Sequence, residues 1–179
     1  METRYLNFKI RAWEPRDRTT AAEIVRSVLA EYGIGWEPTG ADRDALDVED
    51  FYQATGGEFW VIEKEGQLVG TGGYYPVQRG KNAVEIRKMY LLADARGQGL
   101  GRFLLQRLEQ AIASRGFEQI WIETASVLAE AVQLYESSGY QPAAGVETAR
   151  CDRVYQKRIQ ESGVRSQNKA MNSERMANE

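Results

Sequence analysis

Seven residues, Arg96-Gly97-Gln98-Gly99-Leu100-Gly101-Arg102, carry the strongest chemical signal in this 179-residue chain. Glycines at 97, 99 and 101 remove the side chains that would block close backbone approach, and a helical pattern begins beside them. The first N–H groups of a helix have no intrahelical acceptor, so a glycine-rich turn running into a helix makes an anion cradle. A phosphate or pyrophosphate is its natural occupant. The spacing excludes a P-loop, because Gly-Arg-Phe stands where that motif needs Gly-Lys-Ser/Thr. A dinucleotide fingerprint, G-x-G-x-x-G, is also a poor match to the G-x-G-x-G found here.

The flanking pattern says what must position this loop. Residues 84 to 92 read as a strand entering it, and Leu100, Phe103, Leu104, Leu105, Leu108 and Ile112 recur at helical spacing after it. Arg115-Gly116 supplies a cationic last turn and a glycine stop. Gln119 to Thr124 is a short strand rich in branched and aromatic residues, followed by a second helix over about Ala129 to Ser137 that stops at Gly139. Upstream, Phe8, Ile10 and Ala12 alternate with polar residues as a first strand. Thr20-Ala21-Ala22-Glu23 fits a capping box, opening a helix whose face is Ile24, Val25, Val28, Leu29 and Tyr32. Residues 34 to 57 are irregular. Strands over 59 to 64 and 68 to 77 are joined by a tight hairpin at Glu65-Gly66, and Gly70, Gly72 and Gly73 mark either bulges or close approach of a ligand. A last strand is expected over residues 149 to 155.

Arg96-x-x-Gly99-x-Gly101 resembles the Q/R-x-x-G-x-G/A motif of the GNAT superfamily of acyl-CoA-dependent N-acyltransferases. Ala131-Val132-Gln133-Leu134-Tyr135-Glu136-Ser137-Ser138-Gly139-Tyr140 resembles that family's A-x-x-L-Y-x-x-x-G-F/Y signature, an independent match. The resemblance covers about residues 6 to 159 and is strongest from 84 to 140. It implies an α/β fold with a mixed, mostly antiparallel sheet of about seven strands, flanked by about four helices. The sheet splays between its fourth and fifth strands after a bulge near Met89 and Tyr90. It also implies acetyl-CoA as cosubstrate, with pantetheine paired to the backbone of Met89, Tyr90 and Leu91. The pyrophosphate would lie on the loop formed by Arg96, Gly97, Gln98, Gly99, Leu100, Gly101 and Arg102.

The same resemblance points to two catalytic residues. Glu85 stands where the family's proton-accepting glutamate falls, about 13 Å back along the strand from Met89. The alternative reading of Glu85 is an ion-paired glutamate beside Arg87 or Arg79. Tyr135 stands where a tyrosine protonates or hydrogen-bonds the leaving thiolate. One departure concerns position 128, where many members carry an asparagine that bonds the cofactor arm. Here it is Leu128, so CoA affinity rests more on residues 96 to 102, with Ser126 a substitute donor. A CoA-binding module without acceptor chemistry is the alternative function.

Composition narrows the chemistry further. The chain has no histidine and one cysteine, Cys151, which excludes His-dependent triads, an internal disulfide and the commonest metal ligand. No metal is expected. Direct attack of an amine on a thioester suits this inventory, since it needs no protein nucleophile. A formal charge of -3 lacks the basic excess that drives nucleic-acid binding. No apolar run approaches the roughly 20 residues of a membrane helix, and the N-terminus lacks a signal-peptide pattern, so a cytoplasmic protein is expected. Residues 1 to 160 form one expected domain, and residues 161 to 179 lack a hydrophobic pattern and read as a flexible tail. The acceptor is expected to be a small or amino-acid-like primary amine, and a homodimer is left open. Arg79, Lys81 and Arg87 are candidates to hold an acceptor carboxylate; Asp47, Glu49 and Asp50 would instead draw a polyamine. Tyr32, Trp36, Tyr74 and Tyr75 read either as pocket aromatics or as core.

Overall fold

A computed structural model describes residues 1 to 159, so the expected tail at 161 to 179 lies outside the described residues. Eight strands form one sheet in the order β1-β2-β3-β4-β5-β6-β8-β7. They are β1 (Glu2–Tyr5), β2 (Phe8–Ala12), β3 (Glu58–Lys64), β4 (Gln67–Pro76), β5 (Ala83–Leu91), β6 (Gln119–Thr124), β7 (Gln141–Pro142) and β8 (Arg153–Arg158). All neighbours run antiparallel except β5 and β6, which are parallel. A parallel pair needs a crossover, and α2 (Leu100–Ser114) supplies it. Among the described residues, α1 (Arg18–Glu31) and α3 (Ala129–Ser137) are the other α-helices. The α/β mixed sheet expected from the sequence is therefore present, with an extra N-terminal strand, β1, turning back at Leu6 and Asn7. Residues 49 to 53 form a single π-type turn inside the irregular stretch.

Side-chain alternation sorts the core into two faces. Leu104, Leu105, Leu108 and Ile112 of α2 pack with Phe8, Ile10, Ile62, Ile86, Ile120 and Tyr135 on one face. On the other face Val25 and Leu29 of α1 pack against Tyr90, while Tyr52, Phe59 and Val61 form a neighbouring cluster. The last strand begins at Arg153, later than expected, because Thr148 to Asp152 turn: the Cys151 amide bonds the Thr148 carbonyl at 2.9 Å. Cys151 thus sits in that turn, ahead of β8.

Two departures from regular pairing shape the site. The β4–β5 register passes from Thr71↔Tyr90 to Gly73↔Arg87, so two residues of β5 oppose one of β4 and a bulge falls at Lys88 and Met89. Lys88 takes φ +51°, and the Thr71 hydroxyl bonds its carbonyl at 2.7 Å. The extra residue shifts the phase, so Val84 and Ile86 share the α2 face with Met89 and Leu91. The glycines of β4 serve this packing. A Cβ at Gly70 would lie 2.6 Å from Leu91, and one at Gly72 would lie 3.2 Å from Leu104. The second departure is that β5 and β6 pair only from Ala83↔Gln119 to Glu85↔Trp121. Beyond Glu85 the two strands diverge into a V. Among the described residues, no helix is long and apolar enough to cross a membrane.

Candidate active site

The V opens into a cavity of about 250 Å³ reaching from α1 on one face of the sheet to α3 on the other. Glu85, Met89, Tyr90, Leu91, Arg96, Gly97, Gly101 and Tyr135 all line it. Met89 to Leu91 lie in the part of β5 with no strand partner on the β6 side. Gln98, Gly99, Leu100 and Arg102 do not line it. Leu100 is buried in the core, and Arg102 reaches across to the Ser137 hydroxyl at 2.9 Å.

The loop's contribution is its backbone. Gly97 and Gly99 adopt φ +71° and +80°, and Gly99 caps α2 from the left-handed region. Among the described residues, the N–H groups of residues 97 to 102 have no hydrogen-bond acceptor, a run of six donors at a helix N-terminus. That is the arrangement a pyrophosphate fits. The Arg96 guanidinium turns instead toward the fold, donating to the Leu91 carbonyl and to Glu31, each at 2.8 Å.

Glu85 is 5% exposed, and Arg87 Nη1 donates to its Oε1 at 2.7 Å. Burial raises its pKa, an effect that Arg87 opposes and Glu123 reinforces. A carboxyl moved upward from its ordinary range is a better proton acceptor near neutral pH. Arg79 lies with Glu123, donating at 3.0 Å. The ion pair with Arg87 is thus present, while Arg79 pairs elsewhere. Tyr135 lies on α3 with burial, then Tyr90, raising its pKa, so its phenol stays protonated.

Several cavity residues carry no local sequence signal. Lys88 Nζ, on the bulge, lies 3.0 Å from Asp42 Oδ1 and 3.2 Å from Asp44 Oδ1. Asp44 Oδ2 also accepts from Arg87 Nε at 2.8 Å and from the Tyr52 hydroxyl at 2.9 Å. Arg150 grips Asp42 with both terminal nitrogens, at 2.6 and 2.5 Å, and bonds the Gly35 carbonyl. The irregular stretch is therefore pinned over β5 by buried ions. Asp42 and Asp44 alternate around Arg43, a pattern with no periodicity to betray burial; their partners lie as far as 108 residues away.

The other expected acceptor residues separate. Arg87 and Tyr32 line the cavity, while Trp36, Tyr74, Tyr75, Arg79 and Lys81 do not. Lys81 is exposed beside Glu118. Asp47 and Glu49 are already paired, with Arg43 and Arg18. The Ser126 hydroxyl donates to Asp152 Oδ2 at 2.6 Å, which occupies the substitute donor; Leu128 does line the cavity. Cys151 lines it too, with burial raising its thiol pKa to about 11, a poor state for a nucleophile.

The acetyltransferase (GNAT) family model matches residues 22 to 140, spanning α1 through the Tyr140 end of the second signature. The chain belongs to the GNAT acetyltransferase family. As a member it is an acyltransferase. An uncharacterised Escherichia coli (strain K12) N-acetyltransferase, YjgM, is 37% identical over 130 residues, covering 70% of this chain and 77% of that protein. The mouse probable N-acetyltransferase family 8 member 5 is 31% identical over 55% of this chain, a match spanning 44% of that longer protein. A Staphylococcus aureus Mu50 GNAT acetyltransferase superposes with TM-score 0.78 at 18% identity, over 86% of this chain and 99% of its own. YncA from Salmonella typhimurium, solved with acetyl-CoA, superposes with TM-score 0.69 at 21% identity, covering 88% and 97%.

Two loop glycines of this acetyltransferase differ in what they tolerate. At Gly99 an added Cβ would sit 2.5 Å from the Tyr5 hydroxyl on a left-handed backbone; at Gly101 the nearest atom, on Leu134, is 3.6 Å away. Gly101→Ala should leave CoA affinity near wild type, and Gly99→Ala should weaken it about tenfold or more. Calorimetric titration of both variants with CoA checks this; equal affinities would contradict it.

Proposed function

We propose that this acetyltransferase transfers the acetyl group of acetyl-CoA to the primary amine of a small or amino-acid-like acceptor, by direct attack in a ternary complex. The observation that carries the reading is that one cavity joins Glu85, the unpaired edge at Met89 to Leu91, the loop at Gly97 and Tyr135. Acetyl-CoA supplies a thioester carbonyl. Glu85 takes a proton from the acceptor ammonium, directly or through water, and the freed nitrogen attacks that carbonyl carbon. The carbon–sulfur bond then breaks, Tyr135 donates its phenolic proton, or a hydrogen bond, to the departing thiolate, and the nitrogen's remaining surplus proton passes to water or back to the phenolate. The six unpaired amides hold the pyrophosphate, so the donor is anchored remotely from the reacting bond.

A small acceptor is favoured by the modest volume of the cavity, about 250 Å³. Thiol release from acetyl-CoA should be measured across free amino acids, polyamines, aminoglycosides and peptide N-termini. Turnover confined to peptides would overturn the small-acceptor reading, and CoA binding without turnover on any amine would remove the transferase mechanism. Tyr135→Phe should lower kcat about 10- to 100-fold while the acetyl-CoA Kd changes little. A parallel rise in Kd and fall in kcat would instead mean that the hydroxyl serves binding.

A further inference from the structure

Tyr5 lies at the end of β1, on the hairpin that the expected seven-strand sheet lacked. Its hydroxyl donates to the Gln98 carbonyl at 2.9 Å, and its ring stacks on Phe103 of α2 with centroids 4.6 Å apart and planes 28° apart. We propose that Tyr5 is a positioning residue for the donor pyrophosphate, acting through the Gln98–Gly99 peptide. The inference rests on the reading of residues 96 to 102 as the pyrophosphate loop.

A trans peptide is planar and points its C=O and N–H in opposite directions. Fixing the Gln98 carbonyl from the hairpin side therefore fixes the direction of the Gly99 N–H, one of the six unpartnered donors. Gly99 and Gly97 both sit at positive φ, where a glycine peptide has alternative orientations of similar energy. Phe103 follows Gly99 by one turn, its amide bonding the Gly99 carbonyl at 3.0 Å. The Tyr5 ring is thus keyed to the helix that carries the loop. Tyr5 does not line the cavity, so its effect on donor binding is indirect.

Tyr5→Phe keeps the ring and its stacking on Phe103 and removes only the hydroxyl. Calorimetry should show the CoA Kd rising about three- to tenfold, the size of one hydrogen bond's net worth. The discriminating comparison uses S-acetylpantetheine, which has no pyrophosphate. Its kcat/KM should be the same for Tyr5→Phe and wild type, and kcat with saturating acetyl-CoA should also be unchanged. Unchanged CoA affinity would overturn the inference, as would an equal loss with S-acetylpantetheine, which would reveal a merely structural role. Wild-type protein binding CoA no more tightly than pantetheine would bring down the loop reading itself. That result differs from either failure of Tyr5.

Discussion

Glu85→Gln should lower kcat/KM by about a hundredfold or more, the usual contribution of a positioned general base. The loss should be largest between the pKa of Glu85 and that of the acceptor amine, where the carboxylate is formed and the acceptor still carries its extra proton. The sign follows from burial. The Glu85 pKa is raised above its ordinary 4.5, and its active form is the carboxylate, so wild-type activity should climb as pH rises through a value above 4.5. Glutamine has no such titration, so that step should vanish from the variant's profile. The Arg87 contact at 2.7 Å opposes that rise, since a neighbouring cation favours the carboxylate. A variant whose pH profile overlays wild type would return Glu85 to a structural ion pair.

Asp44→Ala should be the most damaging substitution for stability among the acidic residues of the irregular stretch, costing about 3 to 5 kcal/mol. Its carboxylate is 3% exposed and serves Arg87, Lys88 and Tyr52 together. Removing it leaves the buried Lys88, the largely buried Arg87 and a fully buried tyrosine hydroxyl short of an acceptor. Asp47→Ala provides the contrast, because its partner Arg43 is 59% exposed and exposed pairs contribute little. Denaturant midpoints of the two variants measure the difference. A loss below about 1 kcal/mol at Asp44 would mean that Asp42 and Glu85 suffice to compensate the cations.

What the sequence determined about this protein is the part encoded locally. The glycine loop, the α2 stripe from Leu100 to Ile112, the short strand at Gln119 to Thr124 and the Tyr135 signature depend on residues a few positions apart, where helical and strand periodicity act. Their order around the loop then restricts the topology, since strand, crossover helix and parallel strand have one favoured hand. The loop glycines, Glu85 and Tyr135 are therefore legible in the sequence as site candidates.

Only the tertiary structure decided how β1 reaches the loop, which residues line the cavity and which carboxylates claim its cations. The three polar residues Glu2, Thr3 and Arg4 that precede Tyr5 give no core pattern, yet Tyr5 finds Gln98, 93 residues away. The bulge at Lys88 turns a charged residue inward, against the alternation that a regular strand would impose. Asp42 and Asp44 become buried because Lys88, Arg87 and Arg150 arrive from distant segments to compensate them. The arginines at 79 and 96 are likewise claimed by Glu123 and Glu31. Charge pairing across such separations depends on the folded path of the chain, and side-chain type alone carries no record of it.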